Sequence, residues 1–208
     1  GSSALSAKLV VSGPNTIFHD SGGSTLRFNK TLGTDTAFIA NRPYNFHDGN
    51  GLAIATQDSN PIRFGTNNTE RMKIDASGRV TKPYHPYASA SCGSTTSSPN
   101  IVPLNAHNVY NGGMNIDNTN QRITVPIAGQ YVIGFHHLAE LVDTTIYVRK
   151  NGANIGGLHT QSKVGNNHNF SAQTILSLAA NDYIDFKVNS GRIHSNSSFN
   201  SMYVYLIG

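Results

Sequence analysis

The stretch QRITVPIAGQYVIGFHHLAELVDTTIYVRKNG, residues 121–152, decides the fold. It runs from a β-branched segment through a Pro/Gly break, a long alternating segment and a polar corner to a second alternating segment and an Asn-Gly turn. Successive residues of a strand point to opposite faces. Over 130–140, Tyr131, Ile133, Phe135, His137 and Ala139 therefore share one face, and Val132, Gly134, His136 and Leu138 share the other. The first set is bulky enough to be the core face. The second is too apolar to be left fully in water, which predicts a subunit interface. Asn151-Gly152 between two alternating runs is a strong short-range hairpin signal.

Toward the C-terminus the same texture continues, with short apolar runs separated by Gly, Asn and Pro and no sustained helical periodicity. The predicted strands are 87–92, 101–104, 121–126, 130–140, 144–150, 153–159, 169–178, 183–188 and 198–207. This spacing reads as an all-β sandwich. The last strand repeats the two-faced pattern, with Met202, Val204 and Leu206 against Tyr203, Tyr205 and Ile207. Two such strands again point to an oligomer.

Toward the N-terminus the chain becomes repetitive. Residues 18–26, FHDSGGSTL, resemble 46–52, FHDGNGL, and Phe18, Phe46 and Ile74 follow at intervals of 28 residues. Each copy joins an apolar residue to an Asp and a Gly-containing turn, where Asp bonds nearby backbone and Gly takes positive φ. Short strands are predicted between the turns, at 25–28, 37–40, 52–55 and 61–64. Units this small leave an apolar face that neighbours must cover. With few large apolar residues available, the expectation is a homotrimeric shaft whose chains share one core. His19-Asp20 and His47-Asp48 read as turn residues, since copies stacked along an axis do not converge as metal ligands must. KPYHPY, 82–87, brings two prolines that break a strand. The domains are therefore placed at 1–86, a β shaft, and 87–208, a head.

Composition narrows the function classes. Only 38% of residues are hydrophobic and 12% charged, both low for a self-contained globular protein, with Asn, Ser, Thr and Gly making up the difference. The net charge is +4, but the 15 Lys and Arg are scattered and no run exceeds Arg149-Lys150. Nucleic-acid binding needs a concentrated basic face, so none is expected. A single cysteine, Cys92, has no internal disulfide partner, which fits synthesis in a reducing cytoplasm. No apolar run reaches a membrane span and no signal peptide is visible, so membrane insertion is not expected.

Two resemblances add to this. TERMKIDASGRV, residues 69–80, resembles a sequence common in bacteriophage tail fibres just before their C-terminal domains, through Glu70-Arg71-Met72, Ile74-Asp75 and Ser77-Gly78. In those fibres an autoproteolytic chaperone domain often follows, and nothing downstream here resembles one. The head resembles the globular heads of the first complement component and their tumour-necrosis-factor-like relatives. The matching pieces are Ile123-Thr124-Val125-Pro126, Gly129-Gln130-Tyr131, Lys150-Asn151-Gly152, Leu178-Ala179-Ala180-Asn181-Asp182 and the closing Phe199-Asn200-Ser201-Met202-Tyr203-Val204. Asn181 stands where that family has Gly before the corner Asp, and the family's acidic calcium loop is not recognisable. The resemblance implies a ten-stranded jelly roll in an intimate homotrimer, with both termini at the stalk end. It does not imply complement or cytokine function.

If the chain ends at the stalk, counting antiparallel strands back places loops 140–144, 161–168 and 189–197 at the far tip. The Asn151-Gly152 hairpin and the 178–182 corner then fall at the base. The tip loops supply the candidate ligand-binding residues Asp143, Lys163, Asn166, Asn167, His168, Arg192, His194 and Asn196. Amides, imidazoles and a guanidinium suit hydroxyl-rich or anionic ligands. His136 or His194, one per chain, would offer a three-fold axis three nitrogen ligands, but no motif demands a metal and no cofactor is expected. The chain lacks a Gly-x-Ser-x-Gly elbow, a His-Glu-x-x-His and a phosphate loop. Glycan cleavage needs two spaced carboxylates, and near the tip only Glu140 and Asp143 offer them.

The expectation is therefore a non-enzymatic, trimeric tail-fibre adhesin, carried on the virion outside the cell, that recognises a bacterial surface glycan or protein. The alternatives are a secreted complement-like binding or signalling module and a glycan-cleaving fibre tip. Sugar on the acceptor patterns at Asn29, Asn67, Asn169 or Asn196 would favour the secreted module.

Overall fold

The computed structural model describes residues 25–31, 34–41, 52–56, 59–141, 143–162 and 167–207. They form antiparallel β structure in two compact units, residues 1–81 and 82–208. In the first unit, β1 (Thr25–Thr31), β2 (Thr34–Asn41) and β3 (Leu52–Thr56) make one three-stranded sheet. β4 (Ile62–Thr66), β5 (Thr69–Ile74) and β6 (Val80–Thr81) make another. The Phe18 and Phe46 repeats lie outside the described residues. At the third copy, Asp75 Oδ1 accepts from Ser77 N at 2.9 Å and Arg79 N at 3.0 Å, while Gly78 takes φ +80°. Ile39, Leu52, Ile54, Phe64 and Val80 are exposed in this unit. Ile39 and Ile54 are register partners, so they extend one apolar row across the sheet.

The second unit begins at Lys82, five residues before the proline-based boundary. Asn111 Nδ2 donates to Pro83 O at 2.5 Å, His85 Nε2 to Leu206 O at 2.6 Å, and Leu206 N to Pro86 O at 3.0 Å. The prolines end a strand, but their carbonyls are still bonded into the head. Its strands are β7 (Tyr87–Ser91), β8 (Thr96–Ser97), β9 (Ala106–Asn111), β10 (Asn115–Asp117), β11 (Arg122–Thr124), β12 (Gly129–Ala139), β13 (Thr144–Lys150), β14 (Ala153–Ser162), β15 (His168–Leu178), β16 (Tyr183–Ser190), β17 (Arg192–Ile193) and β18 (Ser201–Leu206). One sheet has the order β10-β11-β16-β13-β14. The other has the order β8-β17-β12-β18-β7-β9, with β15 paired along the whole of β12.

The core lies between these sheets and follows the alternation of β12. Tyr131, Ile133, Phe135, His137 and Ala139 are all buried, facing Ile146 and Val148 of β13 and Ile184, Phe186 and Val188 of β16. The β13–β14 hairpin turns at Asn151 and Gly152, whose φ values of +51° and +80° match the right-handed strand twist. Asn181 takes φ +69°, the left-handed conformation that Asn tolerates best among residues with a side chain, so it substitutes for Gly at this corner. Corner and hairpin are tied together. Asp182 accepts from Asn151 Nδ2 at 2.7 Å and lies 2.8 Å from Lys150 Nζ. The Lys150 ammonium and the Asn151 amide pull the Asp182 carboxyl down to about 2.

Two predicted strands are corrected. Residues 101–104 are not a strand: Ile101 makes a single bridge to Lys187, and Val102 and Leu104 enter the core from irregular backbone. Pro103 has no N–H to continue a ladder. Residues 198–207 begin with a 3-10 turn, Ser197–Phe199, and β18 starts only at Ser201.

The outward face of the larger sheet is unusual for a protein surface. Register aligns Ile175, Val132, Tyr205 and Tyr87 in one row across four strands. Ile175 is 57% exposed, and Tyr87, Tyr205 and Val109 are exposed beside it, whereas Val132 is nearly covered. Tyr203 lies across Gly134, where any Cβ would overlap its ring, and its hydroxyl donates to Gln173 Oε1 at 3.1 Å. The Tyr203 and Tyr205 rings stack at 6.3 Å.

Candidate functional site

The C-terminal end of β12 is where the predicted tip segments meet. Glu140 N donates to Arg192 O at 2.9 Å, and Ser190 Oγ to Asp143 O at 2.6 Å. Thr144 Oγ1 donates to Leu141 O and to Arg192 O and accepts from Arg192 N, at 2.8, 3.1 and 3.0 Å. Gly191, at φ +71°, sits so close to Thr144 that a side chain there would overlap it. Ala139 is the register partner of both His168 and Ile193, which brings the third segment alongside. Asp143, Asn167 and His168 are exposed, and Arg192 and His194 are half-buried. Lys163 and Asn166 lie outside the described residues.

Arg192 does not offer the free fork expected of a ligand clamp. Its Nη2 donates to Glu140 Oε1 at 3.1 Å, and its Nε stands 3.0 Å from Glu140 Oε2 without hydrogen-bond alignment. The pair is about one-third exposed, so it contributes at most about 1 kcal/mol, but it occupies both groups. His194 Nδ1 accepts from Asn196 N at 3.0 Å, and Asn196 Oδ1 accepts from Ser198 N at 2.9 Å. Both side chains thus shape the 194–199 turn.

The keystone of that turn is Asn200, which is wholly buried. Its Oδ1 accepts from Leu138 N at 3.0 Å, and its Nδ2 donates to His194 O at 2.6 Å and Asn196 O at 3.1 Å, with a longer bond to Cys92 O at 3.4 Å. Replacing Asn200 with Ala strands a buried N–H and up to three carbonyls. The expected loss is about 2–4 kcal/mol in chemical denaturation, with amides 193–199 exchanging fastest. A loss under about 0.5 kcal/mol would show that water replaces the amide without cost.

Beside this turn, on the outward face of the larger sheet, is a groove of about 300 Å³ lined by His136, Asn169, Phe170, Ser171, Ser198 and Phe199. Register places Ser171 and Ser201 on either side of His136. Ser201 Oγ and His136 Nδ1 are 2.9 Å apart. A hydroxyl–imidazole contact is the beginning of a nucleophilic site, but that chemistry also needs a group orienting the base. No carboxylate among the described residues lines the groove. What the lining offers is neutral hydrogen bonding around an apolar wall. Phe199 is 42% exposed and is braced edge-on by His194, with ring centroids 6.4 Å apart.

Of the predicted site residues, His194 and Asn196 lie on the turn beside the groove, whereas the lining residues Asn169, Ser171, Ser198 and Phe199 were not among them. The signal available was an exposed Phe in a Ser/Asn-rich turn. Among the described residues no three His, Cys, Asp or Glu side chains converge as a metal site. Cys92 is buried, and burial pushes its thiol up, away from the reactive thiolate form. Comparison with known proteins gives no family assignment: no family model and no curated protein sequence matches this chain.

Proposed function

We propose that this chain is the receptor-binding end of a bacteriophage tail fibre, a homotrimeric adhesin with a β shaft and a jelly-roll head. The observation that carries the reading is that the chain enters the head at one end of β18 while the groove and the predicted tip loops lie at the other. The chain enters the head at residues 82–86 against the C-terminal end of β18. The polar groove and tip loops lie at the N-terminal end of the same strand. Setting aside the two-residue β8 and β17, the described residues of the head form ten strands in two antiparallel sheets, the number implied by the complement-head resemblance. Recognition would be non-enzymatic and multivalent, with three weak sites acting together to hold a bacterial surface. Adsorption of the purified 208-residue chain to a panel of bacterial cells tests this. Failure to bind any strain would count against it.

The trimer is supported by the apolar row Ile175–Val132–Tyr205–Tyr87 on the head and by the exposed Ile39, Leu52, Ile54 and Phe64 of the N-terminal unit. Three chains that share these apolar rows would remove them from water, and the groove at His136, four residues further along β12 from Val132, would stay outside the seam. Ile175→Asp would then place three carboxylates in the seam while leaving the core untouched. Sedimentation is expected to show association weakened on the order of 100-fold, with strand content unchanged. A wild-type chain that sediments as a monomer would overturn the trimer.

A further inference from the structure

We propose that the groove beside β18 is a saccharide subsite that takes one pyranose ring of a neutral cell-surface polysaccharide. The proposal rests on the adhesin reading and goes further by naming the ligand class and the residues. The lining argues for this class over others. Among the described residues the lining contains no carboxylate, lysine or arginine, so it lacks the charges that would select an anion, a phosphate backbone or a cation. It combines an exposed phenyl ring with an imidazole, an amide and two hydroxyls. A pyranose has the complementary form. Its C–H bonds, slightly positive, seat on the negative face of a ring such as Phe199, and its rim hydroxyls both donate and accept.

The polar groups are available for this. Among the described residues, nothing bonds the Asn169 amide or the Ser171 and Ser198 hydroxyls. His136 is held through Nδ1 by Ser201, which leaves Nε2 as its remaining polar atom. In either tautomer Nε2 meets a sugar hydroxyl, as donor or as acceptor. The size also fits, since about 300 Å³ is at the small end of ligand sites and suits a single ring better than a peptide segment.

The site is preorganised. His136 and Ser171 sit on adjacent strands in continuous register. Ser198 and Phe199 sit on the turn that Asn200 pins through its buried side chain. Little ordering is then lost on binding, which matters for a small, weak ligand.

The test uses the full chain with methyl glycosides of glucose, galactose, rhamnose and N-acetylglucosamine as probes, read by saturation-transfer NMR at millimolar concentration. Cell adsorption is measured in parallel. Ser171→Tyr fills the groove from an exposed strand position that tolerates an aromatic, and Phe199→Ala removes the wall. Thr119→Ala, in the β10–β11 turn, is the control. At least one glycoside is expected to bind the wild type and the control, and to bind both groove variants about tenfold or more weakly. Glycoside binding that persists in both variants overturns the groove assignment. Adsorption to cells without binding of any glycoside also overturns it, leaves the adhesin reading standing and points to a protein receptor. Groove-dependent glycoside binding without adsorption to any cell supports the subsite and overturns the adhesin reading.

Discussion

Between pH 6.5 and about 3 the head is expected to lose stability steadily, and His137 is the main cause. The imidazole is fully buried between Phe135 and Phe170, with ring centroids 5.2 and 6.1 Å away. Neither ring nitrogen has a hydrogen-bond partner. Burial depresses its pKa from 6.5 to about 3. The Asn200 amide opposes this slightly, but its bonds are spent on backbone groups; the neighbouring His136 adds a little to the depression. In the unfolded chain His137 takes up a proton near pH 6.5, whereas in the folded head it does not. The unfolded state therefore binds more protons across this window, and stability falls as pH falls. The slope is about 1.4 kcal/mol per pH unit and the total approaches about 5 kcal/mol at the acid end, a large share of a typical domain's stability. Denaturation midpoints measured from pH 7 down to about 5 isolate this residue, because the lowered carboxyls of Asp75, Asp117 and Asp182 begin to cost stability only as pH approaches their ordinary value of 3.8. His137→Phe is expected to flatten the curve, whereas the exposed His136→Ala leaves it steep. An equally steep curve in His137→Phe would mean that another group carries the acid sensitivity.

The second large effect is expected at Arg149. On the outward side of the smaller sheet, Arg149 and Asp185 are register partners on β13 and β16. The guanidinium grips the carboxylate at two points, Nε to Oδ1 at 2.5 Å and Nη2 to Oδ2 at 2.9 Å. The Asp185 side chain is only 5% exposed, and Arg149 is 20% exposed. Arg149→Met keeps much of the aliphatic stem but leaves a buried carboxylate without its partner. The expected cost is about 3–5 kcal/mol, read as a fall in the denaturation midpoint at pH 7. The double variant Arg149→Met with Asp185→Leu removes the stranded charge and is expected to regain most of that loss. A single variant within about 1 kcal/mol of wild type would show that water reaches Asp185 and that the pair acts as a surface ion pair.

His137 interrupts the apolar inward face, whereas Arg149 and Asp185 follow the alternation on the outward face, and this marks how far the sequence could be read. Alternation is a local property, set by the two-residue period of a strand. It was enough to assign the inward face of β12, to delimit β13 at 144–150 and to place the hairpin at Asn151-Gly152. The same reading failed at 101–104, where apolar residues enter the core without a ladder. It also passed over β9 and β10, where His107, Asn108, Asn111 and Asn115 interrupt the pattern. Arg192 illustrates the limit at the site. Its charge was legible, but its partner Glu140 is 52 positions away and adjacent only through strand order.

The amino-acid sequence by itself determined that the described part of this chain is built of β-strands, which residues of β12 face the core and where its tight hairpin turn falls. These follow from side-chain periodicity and from residues that accept positive φ. Tertiary structure alone decided which strands are neighbours. It therefore decided that His136, Ser171 and Phe199 border one groove, that Asn200 holds its wall, and that His137 is enclosed without a hydrogen bond. Pairing between distant strands is selected by the packing of the whole sandwich, and no short stretch of chain encodes it.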